Sequence, residues 1–202
     1  MGIFSIIATT FWMVALSAAR GSRTTREVAG VSGEARLGLN RIVRDTREAE
    51  KIIATSGNEY TIEVDFDFNG TPVPAPSTNP QGDYETLTYA YDPSNNVIEL
   101  NGQLLMRRVE CIGGAAGCTA NPIFTYTSNH LEYDWNADGT TTCLELDAAS
   151  THAVVGVGNN NGLCDSPILE FPYISNVRYA MVVTDGNAQS TFRSEAQLRN
   201  QR

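Results

Sequence analysis

Gly33-Glu34-Ala35-Arg36-Leu37-Gly38-Leu39-Asn40-Arg41-Ile42-Val43-Arg44-Asp45-Thr46-Arg47-Glu48-Ala49 is the stretch on which the reading of this chain turns. Around it Val28, Val31, Ala35, Leu39, Ile42, Ala49 and Ile53 recur three, four or seven apart, the period of one helix face. No proline interrupts Arg20 to Ala54, and Ser56-Gly57-Asn58 offers a left-handed C-cap. Upstream, Gly2 to Ala19 carries no charge, a run at the short end of what spans a bilayer. Together these predict one helix over residues 1–55, roughly 80 Å long. Its front, residues 1–19, is expected to be a transmembrane and assembly segment, and its back an amphipathic stalk.

The uncharged run admits other readings. Ala15-Leu16-Ser17-Ala18 has the small residues of a signal cleavage site, but Met1-Gly2-Ile3-Phe4 lacks the basic region a secretory signal needs. As a plain anchor, with Arg20, Arg23 and Arg26 following it, the run would put the bulk of the chain on the cytoplasmic side. Cysteine usage argues for the opposite side. The conflict disappears if Met1 is an internal methionine of a helix that begins upstream.

Beyond residue 55 the period changes. Tyr60, Ile62, Val64 and Phe66 alternate with Thr61, Glu63, Asp65 and Asp67, a half-buried strand closed by Asn69-Gly70. The proline-rich run from Thr71 to Gly82 reads as a surface loop. Thr86 to Tyr91, the turn Asp92-Pro93-Ser94-Asn95-Asn96, and Val97 to Leu100 make a hairpin, with Asn101-Gly102 turning into Leu104 to Val109. Further strands are predicted at Ile123–Tyr126, Leu131–Trp135, Thr142–Leu146, Val177–Thr184 and Thr191–Leu198. The expected fold class is α+β, with the helix packed on an antiparallel sheet and residues 56–202 forming one β-rich domain.

Composition narrows the function classes. A net charge of −9 over 202 residues argues against binding the polyanionic backbone of nucleic acid. The basic residues concentrate on the helix, where Arg41 precedes Asp45 and Arg44 precedes Glu48 by four, as on a solvated face with weak pairs. Cys111, Cys118, Cys143 and Cys164 form an even set with no Cys-x-x-Cys pair, and His130 and His152 complete no zinc pattern. Disulfides and an oxidising, non-cytoplasmic compartment follow. Of the three connectivities, Cys111 with Cys118 and Cys143 with Cys164 is favoured.

The sharpest chemical signal is Asp134-Trp135-Asn136-Ala137-Asp138-Gly139-Thr140-Thr141-Thr142-Cys143-Leu144-Glu145, which fits the calcium-loop pattern D-x-[DN]-x-[DN]-G-x5-E. Calcium takes six to eight hard oxygens. Asp134, Asn136 and Asp138 are placed to point inward on alternate residues, the Thr140 carbonyl to face back, and Glu145 to close the shell with two oxygens. Both flanks alternate like strands, so the expectation is a structural calcium clamp between strands; an ordinary polar turn over Asn136-Ala137-Asp138-Gly139 is the competing reading.

Enzymatic motifs are missing. Gly156-Val157-Gly158-Asn159-Asn160-Asn161-Gly162 is one residue off a dinucleotide fingerprint and has no strand-helix-strand unit around it, so it reads as a flexible loop. There is no G-x-S-x-G, H-E-x-x-H or phosphate-binding loop, and both histidines read as surface residues. An enzyme is not expected. Asn69-Gly70-Thr71 fits a glycosylation tripeptide of a kind that arises often by chance.

Met1-Gly2-Ile3-Phe4-Ser5-Ile6-Ile7-Ala8, with the helix closing through Gly33 to Ala49, resembles the first helix of type IV pilin-like proteins, most of all minor pilins of the PilW type and J-type pseudopilins of type II secretion. Ser194-Glu195-Ala196-Gln197-Leu198-Arg199-Asn200 is similar to the closing strand of that group. The basic leader, processing glycine and first-turn glutamate of that group have no counterpart here. The resemblance implies a minor pilin or pseudopilin that helps start or cap a pilus or pseudopilus by packing its N-terminal helix. It also implies other pilin subunits and the bacterial inner membrane as partners, with a single pass and the C-terminal domain in the periplasm or within a surface filament. The rival from another class is a membrane-tethered, calcium-stabilised binding or adhesion module that does not polymerise.

Overall fold

The computed structural model describes residues 2–64, 85–186 and 188–199. The end of the strand predicted through Phe66, the proline-rich loop and the Asn69-Gly70-Thr71 tripeptide lie outside the described residues.

Helix α1 runs Gly2–Glu48, about 70 Å at 1.5 Å per residue. Strand β1, Ala49–Thr55, follows with no loop. The predicted helix therefore stops seven residues early, because Ala49–Thr55 belongs to a sheet. Ile52-Ile53 is a β-branched pair suited to a pleated surface, and Ile52 lies opposite Ile62 of β2, Glu59–Val64. Ser56-Gly57-Asn58 is thus the turn of a β-hairpin, closed by the Ser56 N–H on the Glu59 carbonyl at 2.6 Å.

From there the chain meanders through β3 (Glu85–Asp92), β4 (Val97–Leu100) and β5 (Gln103–Arg107), giving a five-stranded antiparallel sheet in the order β1-β2-β3-β4-β5. At Arg108, with φ +60°, the chain leaves the first sheet for the second. That sheet holds β6 (Val109–Glu110), β7 (Phe124–Ser128), β8 (Thr141–Thr142), β9 (Asn176–Asp185) and β10 (Ala188–Gln197), in the order β10-β9-β7-β8 with β6 also on β9. Between them the two sheets bury Tyr60 and Tyr89 from one side and Phe124 and Tyr179 from the other, with Tyr60 and Phe124 edge to face at 5.0 Å.

The expected architecture, a pilin-like helix laid along one antiparallel sheet, is overturned. The described domain is mostly β in two sheets. Among the described side chains of α1, full burial is confined to Ala35 through Thr46. Ala35, Gly38, Leu39, Ile42, Val43 and Thr46 make that stripe, three and four apart, as the sequence period requires. Ala29, Arg36 and Leu37 stay exposed. Gly38 has its own reason to be glycine: a Cβ there would overlap the Met106 side chain of β5, itself fully buried. Gly38→Ala is expected to lower stability by about 1–3 kcal/mol in urea unfolding, and by less when Met106 is shortened to Ala in the same chain.

The membrane placement is corrected too. Among the described residues no helix is long and apolar enough to cross a membrane. Ser5, Thr9, Thr10 and Ser17 interrupt the uncharged run with hydroxyls, and its glycine and alanines add little hydrophobicity. A transmembrane segment at 1–19, and the single-pass inner-membrane location built on it, go with that finding.

The helix face read as solvated is also partly buried. Asp45 is 1% exposed and accepts the Tyr89 hydroxyl at 2.7 Å. Arg44, expected to pair with Glu48, instead donates to Asp45 at 2.9 and 3.1 Å, and Arg41 stands 3.6 Å away. Next to it the Thr46 hydroxyl lies 2.8 Å from the Tyr60 hydroxyl and 2.7 Å from that of Tyr179, one tyrosine from each sheet. The end of α1 is thus fastened where the sheets meet.

Candidate metal centre

The calcium-loop stretch forms an excursion from the second sheet. Its ends are held by the β7–β8 pairing, Thr127 opposite Thr142 and Ser128 opposite Thr141, and by the buried Thr141 hydroxyl on the His130 carbonyl at 2.8 Å. The strands predicted over Leu131–Trp135 and Thr142–Leu146 are absent. A 3-10 turn, Leu131–Tyr133, precedes the loop, and a short helix α2, Cys143–Ala148, follows it. The signal for α2 is in the sequence. Thr142-Cys143-Leu144-Glu145 is a capping box, and both of its reciprocal hydrogen bonds form.

Asp134, Asn136 and Asp138 do come together, around the backbone N–H groups of the turn. Asp134 accepts from the N–H of Asp138 at 3.2 Å and of Gly139 at 2.8 Å. Asn136 accepts from Asp138 N–H, and Asp138 from Thr140 N–H, each at 2.8 Å. Ala137, with φ +58°, and Gly139, with φ +85°, supply the left-handed backbone that the tight turn requires.

Glu145 departs from its expected role. Its Oε2 is taken by the Thr142 N–H at 2.7 Å and the Thr142 hydroxyl at 2.9 Å, so it caps α2 instead of closing the loop. Its Oε1 is buried without a partner. Asp134, Asp138 and Glu145 do not bring their carboxylates within 4.8 Å of one another; the one such group among the described residues is Cys143, Cys164 and Glu170. Both of those sulfurs are spent in a disulfide, so that trio is not a thiolate site. What remains at 134–140 is a half shell, its mouth open to solvent over Asn136 to Gly139. Thr142→Ala is expected to destabilise the chain by about 1 kcal/mol in urea unfolding, because α2 loses its cap.

The cysteines pair as favoured above, Cys111 with Cys118 and Cys143 with Cys164. The second bridge ties the first residue of α2 to the loop 156–165. That loop, read as flexible, is tied down. Asp147 of α2, 2% exposed, accepts the N–H groups of Asn159 at 3.3 Å, Asn161 at 3.1 Å and Gly162 at 2.8 Å. Gly158 is pressed against the Leu146 and Asp147 carbonyls with φ +68°, where a Cβ would overlap both. His130 sits beside Glu132 at 2.9 Å, and the exposed His152 stacks on Trp135 at 3.9 Å; neither reaches the loop carboxylates through a hydrogen bond. No family model matches the chain, and no curated protein or solved structure matches it either.

Proposed function

We propose that this chain is a minor subunit of a type IV pilus or type II secretion pseudopilus, built into the filament through α1. The observation that carries the reading is the division of α1: its last turns are sealed into the β-domain, while Phe11, Trp12 and Met13 are 76, 66 and 67% exposed. Trp12 and Leu16, four apart on one face and flanked by Phe11 and Met13, leave large apolar side chains exposed around the rod, a surface that neighbouring subunits can cover. Side-by-side packing with other N-terminal helices removes them from water at about 25 cal/mol per Å2, far more than exposed ion pairs contribute. The disulfides suit an oxidising compartment. The half shell at Asp134, Asn136, Asp138 and Thr140 serves in this reading as a weak structural calcium site on the head, without the Glu145 carboxylate that caps α2.

A second reading is a calcium-stabilised extracellular binding module that does not polymerise. It is favoured by an apolar cleft of about 480 Å3 lined by Pro122, Phe124, Tyr126, Leu144 and Leu163 beside the Cys143–Cys164 bridge. Shearing filaments from the producing cells and probing both fractions separates the two. The filament reading expects the chain in the sheared fraction, with Phe11→Glu and Trp12→Glu excluding it while the head still folds. Recovery only as a free monomer contradicts it and leaves the binding module.

A further inference from the structure

Three features meet at the Cys143–Cys164 bridge. A cleft of about 480 Å3 opens beside it, with both cysteines, Phe124, Tyr126, Leu144 and Leu163 in its lining. Leu144 and Leu163 are 57 and 58% exposed, which gives the cleft an apolar rim. The two cysteines are unequally placed: Cys143 is buried at the start of α2, whereas Cys164 is half-buried in the loop. The Thr55 hydroxyl of β1 donates to the Cys164 carbonyl and holds that residue in the cleft wall.

Glu170 is the third feature. It is 0% exposed, and a carboxyl oxygen lies within 4.8 Å of both sulfurs. Its Oε2 accepts the N–H groups of Asp165 at 2.8 Å and Ser166 at 2.9 Å, whereas Oε1 is buried and has no hydrogen-bond partner. That division suits a neutral acid, with Oε2 as its carbonyl oxygen and the proton on Oε1. Burial, with the charges of Asp147 on α2 and Asp165 in the loop, pushes the carboxyl above the usual carboxylate range, against the pull of the two N–H groups. None of the described ion pairs brings a cation to it. Among the described residues the Cys111–Cys118 bridge has no such carboxyl against both its sulfurs.

We infer that Cys143–Cys164 is a site of thiol–disulfide exchange, at which Glu170 gives and takes the proton. An incoming thiolate attacks Cys164 Sγ from the cleft. The new S–S bond forms as the Sγ–Sγ bond to Cys143 breaks, and the electron pair of the broken bond leaves on Cys143. A thiolate is costly in those apolar surroundings, so the Glu170 proton moves onto it. The products are a mixed disulfide at Cys164, a Cys143 thiol and a Glu170 carboxylate, with the incoming sulfur oxidised as Cys143 is reduced. In reverse the carboxylate takes the Cys143 proton and the bridge closes. The apolar rim selects a reactant cysteine flanked by apolar side chains.

The test is reduction of the folded full chain by dithiothreitol between about pH 5 and 8, with the thiols trapped by alkylation and each cysteine counted by mass spectrometry. Cys111–Cys118 is the internal reference, because the ratio of the two rates cancels the thiolate fraction of the reductant. The acid form is the donor, so in the native sequence the ratio for Cys143–Cys164 should fall as pH rises through the Glu170 titration. Glu170→Gln should lower the ratio at acid pH by about tenfold or more and make it independent of pH. Asp165→Asn, at an exposed position that keeps the buried carboxyl, should move the fall to lower pH by removing a neighbouring negative charge. A ratio that does not change with pH in the native sequence would overturn the site, as would the same pH profile in all three chains. The outcome is independent of whether the chain assembles into filaments.

Discussion

Asp45→Ala is expected to lower the unfolding free energy by about 3 kcal/mol, the larger part of it from one hydroxyl left without a partner. Asp45 lies in the last turn of α1, where the helix dipole disfavours an acid. Its place there is explained by the Tyr89 hydroxyl of β3 at 2.7 Å, which it accepts in the interior. Arg41 and Arg44 are half or more exposed and can return to water when the carboxylate goes, but Tyr89 is fully buried and cannot. A double-mutant cycle isolates the pair: in a Tyr89→Phe background Asp45→Ala should cost about 1–2 kcal/mol less. Equal costs in both backgrounds would show that the tyrosine contact is not what holds the helix end. Urea unfolding of the four chains reads all of this.

Removing the Cys143–Cys164 bridge as a double alanine variant is expected to cost about 3 kcal/mol from loop closure. The bridge spans 21 positions, against 7 for Cys111–Cys118, whose removal should cost nearer 2 kcal/mol on the same entropic scale. Thermal unfolding of both variants gives the ordering. A larger loss from Cys111–Cys118 would contradict the assignment of the second bridge as the clamp of this region.

Much of the fold could be read from period alone. The stripe Ala35, Leu39, Ile42 announces a buried helix face, and the alternation of Tyr60, Ile62 and Val64 announces β2. Two local patterns serve a role other than the one they suggest. Ser56-Gly57-Asn58 is as good a hairpin turn as a helix cap, and Ile52-Ile53 should have tipped the balance toward a strand. Thr142 to Glu145 fits the end of the calcium pattern and is also a capping box, and it is the helix that forms. Asp45 escaped because an arginine four residues before an aspartate looks like a surface pair until the tyrosine across from it is known. The Asp147 turn is less legible. Its acceptor comes from α2 and its N–H donors from a loop at least twelve residues on, so no linear motif spans it, though Asn159-Asn160-Asn161-Gly162 echoes Asn136-Ala137-Asp138-Gly139. That the helix contacts two sheets was beyond period counting, since strand alternation does not say which strands pair.

The central claim, that the exposed part of α1 is a surface for neighbouring subunits, is tested most directly by placing a photocrosslinking residue at Trp12, 66% exposed on the rod, and separately at Leu144, 57% exposed on the head. In cells producing the full chain, irradiation should join position 12 to the N-terminal helices of other filament subunits and leave position 144 without those adducts. No adduct at 12, with the chain monomeric under the same irradiation, would contradict the account.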